Sequence, residues 1–178
     1  MSLVKNANLI LIRHGQSAAN ANREIYYQLP DHDIPITEQG AAQARDAGKV
    51  LRDMGLTNAE VIVSPYVRAQ QTWEEMRKTF RTYASVEFNP LIREQEYKFF
   101  EGSDDYVRTM ESKSDFGDYW WRFKSAESQA DVFTRMQTFC NDLRLRRVLG
   151  KSKADNIVIV SHEIALKVLL QVLDQDDL

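Results

Sequence analysis

Four short hydrophobic runs divide the chain and predict a set of buried strands. They lie at residues 9–12, 61–63, 86–88 and 157–160. The first, second and fourth runs are continuously apolar and rich in β-branched residues, which is typical of strands buried on both faces of a parallel sheet. The third run alternates apolar and polar residues, and we therefore expect it to be the more exposed strand.

The segments between these runs carry apolar residues at helical spacing. The first predicted helix follows Thr37, a suitable N-terminal cap, and presents Ala41, Ala44 and Leu51 on one face. Three more helices are predicted over residues 66–80, 132–143 and 164–173. Helices that alternate with buried strands predict an α/β three-layer sandwich, with a mostly parallel central sheet and right-handed crossovers.

An aromatic-rich stretch interrupts this alternation. Half of the chain's aromatic residues fall between Tyr97 and Phe123. We call residues 97–128 the lid segment. Two compatible interpretations remain open: the segment caps a pocket and selects the substrate, or it forms a satellite hydrophobic cluster under a long excursion of the chain.

Composition narrows the class of protein. The chain has 178 residues, a formal net charge of −3 and 43% hydrophobic residues. This length is typical of one domain, which we place at residues 1–178. The near-neutral balance argues against nucleic acid or an anionic membrane as the main partner, although clustered arginines can still bind a small anion. With a single cysteine, no signal-peptide core and no apolar stretch of ~18 residues, we expect a cytoplasmic protein.

Polar residues that follow the predicted strands are the candidates for chemistry, because ligands of open α/β sheets bind beyond the carboxyl ends of the strands. Two of the three histidines, several arginines and a glutamate follow strands in this way. The candidates are Arg13, His14, Ser17, Asn20, Arg68, Glu94 and His162. Arginine matches phosphate oxygens with its planar guanidinium group, so this edge of the sheet predicts a phosphate site.

Smaller features add to this prediction or stand apart from it. Gly15 permits a tight turn into a helix whose free N–H groups favour an anion, to which Asn20 could also donate its amide. Cys140 lies on an apolar helix face and is expected in the core rather than as a nucleophile. His32 lies in a polar loop without the spacing of a metal site and is expected to be solvated.

Several ordered motifs make the chain similar to a known family. Residues 13–17 (RHGQS) resemble the RHG signature of the histidine phosphatase superfamily, which has the phosphoglycerate mutase-like fold. The other matching motifs are ITEQGAAQA at 36–44, SPYVRAQQT at 64–72 and VSH at 160–162. Residues 91–97 (LIREQEY) and 116–132 further resemble a plant and fungal branch of small phosphatases.

The resemblance implies a metal-independent phosphomonoesterase that needs no cofactor and acts on a small phosphorylated metabolite. His14 would attack phosphorus and form a phosphohistidine, while Glu94 would protonate the leaving oxygen and then activate water. Arg13, Arg68 and His162 would neutralise the charge on the transferred phosphoryl group.

The resemblance also leaves some roles less sharply assigned. Ser17 and Asn20 match lesser phosphate-binding positions. Glu96 and Glu101 are rivals of Glu94 for the acid role, and Glu96 is the nearer rival.

Three positions depart from the family pattern. Lys98 and Glu163 stand where the family usually has glycine, and Ala126 replaces the glycine before the Glu-Ser pair. Lys98 could reshape the lid or add a cation for an anionic substrate. A carboxylate at Glu163 would repel phosphate unless it points away along its helix.

Two alternatives to a phosphatase remain open, and the sequence does not indicate the oligomeric state. A phosphoglycerate-type mutase would return the phosphoryl group to its substrate instead of to water. A non-catalytic phosphate-binding or regulatory module would use the pocket without turnover.

Overall fold

The computed structural model describes residues 7–175 and contains a four-stranded sheet whose strands are all parallel. Its strands are β1 (Asn8–Arg13), β2 (Ala59–Val63), β3 (Tyr83–Phe88) and β4 (Asn156–Ser161). Their order across the sheet is β1-β4-β2-β3, so β3 is an edge strand with a mixed burial pattern. Parallel neighbours require helical crossovers, and the predicted α/β three-layer sandwich is confirmed.

Within residues 7–175, six α-helices connect or flank these strands. They are α1 (Ala18–Ala21), α2 (Glu38–Asp53), α3 (Val67–Met76), α4 (Ser103–Phe116), α5 (Gln129–Val148) and α6 (Glu163–Gln175). Short 3-10 turns occupy Arg23–Tyr27, Asp31–Asp33 and Pro90–Ile92. Thr37 caps α2 as predicted, since its hydroxyl accepts the backbone N–H of Gly40 at 3.1 Å.

The predicted helix over residues 66–80 ends at Met76, earlier than the apolar spacing indicated. The hydroxyl of Thr79 donates to the carbonyl oxygen of Arg45 at 2.8 Å, and Phe80 turns into the core. These tertiary contacts end the helix, although its apolar periodicity continues.

Two hydrophobic clusters pack against opposite faces of the sheet. On one face, α5 and α6 cover Ile62, Ile157 and Ile159, and the buried Cys140 belongs to this cluster as expected. On the other face, α2 and α3 cover strand residues such as Val61 and Val158. Side chains of β2 and β4 pack alternately into the two clusters, so both faces of these strands are buried. This explains why their sequences are continuously apolar.

The loop after β1 touches α2 backbone to backbone. A Cβ atom added to Gly15 would lie 2.4 Å from the carbonyl oxygen of Gly40, and one added to Gly40 would lie 2.3 Å from the carbonyl oxygen of Gln16. Glycine is required at both positions by this close approach. The contact holds the segment that carries His14 against the helical layer.

The lid segment forms a hydrophobic cluster, and several of its residues also line a cavity. Phe100 and Phe123 are buried and meet edge to face, with ring centroids 6.5 Å apart, whereas Phe116 and Trp120 are 64% and 70% exposed. Helix α4 itself has no buried residue among those described. Across residues 7–175, no helix is long and apolar enough to cross a membrane.

Candidate active site

Three loops meet at the carboxyl edge of the sheet and bring the predicted residues together. The backbone N–H of His14 donates to Ser161 at 2.9 Å, and that of Ser64 donates to Val160 at the same distance. These bonds continue the sheet pairing beyond the strands. They bring the rings of His14 and His162 to a centroid distance of 5.2 Å.

His14 is held as a neutral imidazole with one nitrogen free. Its Nδ1 atom lies 2.7 Å from the carbonyl oxygen of Gly15, which can only accept, so Nδ1 carries the hydrogen. Burial, together with the positive charge of Arg68, lowers the pKa of His14 to about 4. The Nε2 lone pair is therefore available as a nucleophile at neutral pH.

His162 is completely buried behind His14. Its Nε2 lies 2.6 Å from the hydroxyl oxygen of Ser64, which also accepts the backbone N–H of Tyr66 at 3.4 Å. When the Ser64 hydroxyl donates to Nε2, the ring hydrogen of His162 lies on Nδ1. That Nδ1 atom has no hydrogen-bond partner among residues 7–175. Burial places the pKa of His162 well below its usual value, so the ring is neutral.

Arg68 is buried at the start of α3 and has a partner that the sequence did not reveal. Its guanidinium group donates to the Asp31 carboxylate at 3.0 Å and also to the Asp31 carbonyl oxygen. Tyr66 lies 5.1 Å from the guanidinium carbon in a cation–π contact. Arg68 therefore has a fixed position at the site even without a bound anion.

Arg13 lies at the open side of the same site. Its guanidinium group is 3.8 Å from the Glu163 carboxylate, and both side chains are about half exposed. Glu163 also accepts a bond from Lys167 at 2.7 Å, which holds the pKa of this carboxyl below its ordinary value. The expectation that Glu163 could point away along its helix is met in part, since its carboxylate is shared between Lys167 and Arg13.

Glu94 is buried and its carboxylate faces the N-terminus of α6. Its Oε1 atom accepts two backbone N–H groups, from Gln95 at 3.0 Å and from Ala165 at 3.1 Å. Its Oε2 atom has only a long contact of 3.4 Å with the N–H of Ile164. Burial raises the pKa of Glu94, and a proton on this carboxyl group belongs on the less occupied Oε2.

A buried ion pair fixes the segment that carries Glu94. Arg135 on α5 binds Glu127 through two N–H groups, at 3.0 and 3.1 Å, and donates to the carbonyl oxygens of Leu91 and Glu94 at 2.6 and 3.1 Å. Glu127 in turn accepts the N–H of Glu96 at 3.0 Å. Sequence analysis placed Glu127 in a family-like stretch without a role and did not single out Arg135.

The helix start after Gly15 differs from the expectation of free N–H groups. The N–H of Gly15 donates to Thr72 at 3.0 Å, that of Gln16 to Gln43 at 2.9 Å and that of Ser17 to Asn20 at 3.0 Å. The prediction that these donors stay open for an anion is wrong, because the turn is satisfied by side chains from α1, α2 and α3.

The same capping contacts place the two lesser candidates. The Ser17 hydroxyl accepts the N–H of Asn20 at 3.1 Å, and Ser17 is not among the described residues that line the cavity at this edge. It caps α1 instead. Asn20 does line that cavity, with its side-chain oxygen committed to Ser17.

Two neighbouring cavities open at this edge. The catalytic cavity has a volume of about 310 Å³ and is lined by Arg13, His14, Arg68 and Glu94 together with lid residues. The lid cavity has a volume of about 390 Å³ and contains Glu96, Lys98 and His32 in its wall. Glu96 is bound to Arg93 at 3.1 Å, and of the three rival carboxylates only Glu94 lines the catalytic cavity within the described chain.

Lys98 and His32 line the lid cavity and do not line the catalytic cavity that contains Arg13, His14 and Arg68. Lys98 binds Asp105 at 2.6 Å, so the suggested extra cation is already paired and belongs to the lid cavity. His32 is largely exposed, as expected, and lies 3.6 Å from Asp33. From residue 7 to residue 175, no group of three or more His, Cys, Asp or Glu side chains is arranged to hold a metal ion.

Comparison with known proteins identifies the family of this chain. A sequence profile of the histidine phosphatase superfamily (branch 1) matches residues 9–178. The phosphoglycerate mutase-like protein AT74H of Arabidopsis thaliana is 35% identical over 179 residues, covering 91% of this chain and 64% of that protein. The chain thus spans less than two thirds of the length of this relative.

Two further proteins are more distant. The broad-range acid phosphatase DET1 of Saccharomyces cerevisiae is 24% identical over 256 residues, covering 91% of this chain and 77% of that protein. The solved structure of a mycobacterial glucosyl-3-phosphoglycerate phosphatase superposes with a TM-score of 0.69 at 22% identity, covering 91% of this chain and 79% of that one. This structural likeness establishes the fold alone.

Fold and site together define an α/β protein with paired histidines and arginines at the carboxyl edge of a parallel sheet. The chain belongs to the histidine phosphatase superfamily and has its phosphoglycerate mutase-like fold.

Proposed function

We propose that this protein is a cytoplasmic, metal-independent phosphomonoesterase that acts on a small phosphorylated metabolite through a phosphohistidine intermediate. One observation carries the proposal: a neutral His14 with a free Nε2 shares a cavity with Arg68 and with the buried carboxyl group of Glu94. A nucleophile, a cation and a proton donor are thus available without a metal ion.

Substrate binding begins with the phosphate. Arg68 and Arg13 provide guanidinium N–H groups, which pair with phosphate oxygens in a fixed fork geometry. His162 lies behind His14 rather than in the described cavity wall, and its Nδ1 atom, which has no partner among residues 7–175, is proposed as a further donor that adds no charge. Asp31 shares Arg68 with the incoming phosphate and keeps the guanidinium group oriented.

The first chemical step transfers the phosphoryl group to the enzyme. A bond forms between Nε2 of His14 and phosphorus while the ester P–O bond breaks. The proton on Oε2 of Glu94 passes to the departing oxygen, so the alcohol leaves neutral. Donors already in place stabilise the charge on the three remaining oxygens, which is the main contribution a protein makes to such a step.

The second step returns the enzyme to its starting state. Glu94, now ionised, accepts a proton from a water molecule as the water oxygen bonds to phosphorus. The N–P bond to His14 breaks, and inorganic phosphate is released. Glu94 is again protonated and His14 again neutral, so the cycle closes.

The named relatives support a phosphatase and also keep one alternative in view. DET1 carries the name of an acid phosphatase, whereas AT74H is called phosphoglycerate mutase-like. In a mutase the phosphohistidine would transfer its phosphoryl group back to substrate rather than to water. Release of inorganic phosphate from 3-phosphoglycerate or another monoester, without isomerisation, distinguishes the phosphatase.

The intermediate can be trapped directly. Mixing the protein with a ³²P-labelled aryl phosphate in EDTA and quenching in alkali is expected to leave label on the protein that is stable to base and lost in acid. Glu94→Gln is expected to accumulate more label, because the second step lacks its base, and His14→Gln is expected to show none. Label that persists in His14→Gln would contradict the proposal, and phosphate binding without label or turnover would indicate a non-catalytic module.

A further inference from the structure

Each cation around the catalytic cavity already has an anionic partner. Among the described residues that line this cavity, the lysines and arginines are Arg13, Arg68 and Lys113. Their partners are Glu163 at 3.8 Å, Asp31 at 3.0 Å and Asp118 at 3.1 Å, respectively. A phosphate that binds in the cavity therefore shares each of these cations with a carboxylate of the protein.

Two of the partner carboxylates are themselves part of the cavity wall. Asp31 and Glu163 both line it, on the side of Arg68 and on the side of Arg13. Glu163 is ionised at neutral pH, since Lys167 and Arg13 hold its pKa below the ordinary value. A second anionic group on a substrate would therefore face two carboxylates across a short distance.

Two groups of backbone donors near the cavity are already used within the protein. The N–H groups of Ile164 and Ala165 at the start of α6 contact the Glu94 carboxylate. Those of Gly15 and Gln16 donate to side-chain oxygens of Thr72 and Gln43. These N–H groups therefore do not offset the charge of Asp31 and Glu163.

Apart from His14, Asn20 and Glu94, the rest of the described wall is aromatic or apolar. It includes Tyr26, Tyr97, Phe100, Tyr106 and Met110. Tyrosine hydroxyls donate to and accept from substrate hydroxyl groups, and the rings cover carbon–hydrogen surfaces. These side chains suit an uncharged remainder.

We infer that the catalytic cavity selects phosphomonoesters whose remainder is uncharged, such as polyol or sugar monophosphates, over substrates with a second anionic group. The inference rests on the proposed phosphatase function and names the substrate class for it. It also separates this site from one built for phosphoglycerates, which carry a carboxylate beside the phosphate ester.

A matched pair of substrates tests the inference. Glycerol 3-phosphate and 3-phosphoglycerate differ in size only slightly, but one ends in a hydroxymethyl group and the other in a carboxylate. With phosphate release as the assay, kcat/KM for glycerol 3-phosphate is expected to exceed that for 3-phosphoglycerate by about 10-fold. This ratio corresponds to the repulsion expected between the substrate carboxylate and two partly solvated carboxylates of the wall. Equal values, or a preference for 3-phosphoglycerate, would overturn the inference.

Variants assign the preference to this wall. Glu163→Gln is expected to reduce the ratio of the two kcat/KM values about 3-fold, since one half-exposed charge is removed. The matched control is Glu74→Gln, because Glu74 pairs with Arg77 on α3 at an exposure close to that of the Glu163–Arg13 pair. A ratio that changes equally in both variants would show a general charge effect and contradict the assignment.

A binding measurement on an inactive variant tests the charge selection separately from the proposed phosphatase activity. Glycerol 3-phosphate is expected to raise the melting temperature of His14→Ala more than 3-phosphoglycerate does at equal concentration. Phosphate release from both substrates with no preference would retain the phosphatase and overturn the charge selection. Absence of phosphate release from any ester would overturn the phosphatase, while the melting shifts would still decide the selection.

Discussion

The strand-end residues of the site and the lid segment are held in different ways. His14 and Ser64 continue the hydrogen bonding of the parallel sheet, and Gly15 packs directly against the backbone of α2. The lid segment is held by ring contacts such as Tyr97–Phe123, at 4.9 Å, and its helix α4 buries no described residue. His14 thus lies on a segment held by the sheet and by α2, whereas lid residues such as Tyr97 and Phe100 in the cavity wall lie on a segment held mainly by ring contacts.

Glu94 lies between these two regions and depends on both. Its carboxylate contacts the start of α6, and its backbone is held by Arg135 from α5, whose partner Glu127 lies at the end of the lid segment. Glu94 is therefore fixed by contacts with helices α5 and α6 rather than by the sheet. The following predictions test this division, from the largest expected effect to the smallest.

The largest effect is expected at the sheet edge. His14→Ala is expected to lower turnover of an activated aryl phosphate in EDTA by at least about 10⁴-fold, because the nucleophile is lost. The protein is expected to stay folded, with a cooperative melting transition, since a strand-end polar side chain contributes little to the core. Residual activity of a few per cent, or a collapsed transition, would contradict a purely catalytic role.

Glu94→Gln is expected to show a selective defect. Hydrolysis of esters with poor leaving groups should fall by about 10²–10⁴-fold, since the departing alkoxide then leaves without a proton. Esters with good leaving groups, such as nitrophenol, should be affected less in the first step. An equal loss for both types would move the acid role to another carboxylate, with Glu96 the next candidate.

The buried Arg135–Glu127 pair is expected to link stability with acid catalysis. Arg135→Ala should lower the free energy of unfolding by about 2–4 kcal/mol, since the buried Glu127 then keeps only Arg93 as a cationic partner. The carbonyl oxygens of Leu91 and Glu94 also lose their guanidinium donor. Arg135→Lys should fold and should slow poor leaving groups more than good ones, because contacts to the Glu94 segment are lost. Denaturant titration and the two classes of ester measure these effects.

A matched ion pair on the opposite layer serves as the control. Arg45 binds Glu75 at 2.7 Å between α2 and α3, and both side chains are partly exposed. Arg45→Ala is expected to cost at most about 1 kcal/mol and to leave the leaving-group dependence unchanged. If this variant shifted that dependence as much as Arg135→Lys, the positioning role of Arg135 would be lost.

Burial of neutral His14 is expected to make stability depend on pH. Its pKa is about 4 in the folded protein against 6.5 as the reference, so the unfolded chain binds more protons between these values. Stability from this residue is present above pH 6.5 and is lost as the pH falls towards 4. Between pH 7 and 4.5 the wild type should lose about 2 kcal/mol more than His14→Asn. Parallel curves for the two proteins would contradict the assigned protonation state.

The smallest effect is expected on the outer surface of the lid. Trp120→Ala should change the free energy of unfolding by no more than about 0.5 kcal/mol, because this ring is mostly exposed. Phe123→Ala, in the same segment, should cost about 3–5 kcal/mol, because its buried ring packs against Phe100 and Tyr97. An equal loss of unfolding free energy in the two variants would contradict the assignment of Trp120 to the exposed face and Phe123 to the buried face of the lid segment.

The sequence by itself determined the elements and most of the residues at the site. Three continuous apolar runs and one alternating run predicted the four strands, and helical spacing predicted α2, α3, α5 and α6, because burial on a sheet or a helix imposes a short local period. The residue types that follow β1, β2 and β4 identified His14, Arg68 and His162, since parallel strands end at one edge. The length of α3 and the existence of α4 were not predicted, as neither is set by periodicity alone.

Only the tertiary structure decided how those residues are paired. The contacts of Asp31 with Arg68, of Arg135 with the Glu94 segment and of Thr72 with Gly15 join positions 37, 41 and 57 residues apart. No local pattern specifies such contacts, because they depend on which helices pack against which strands. The same pairing sets the charge balance of the catalytic cavity, which composition alone does not reveal because it counts charges without placing them.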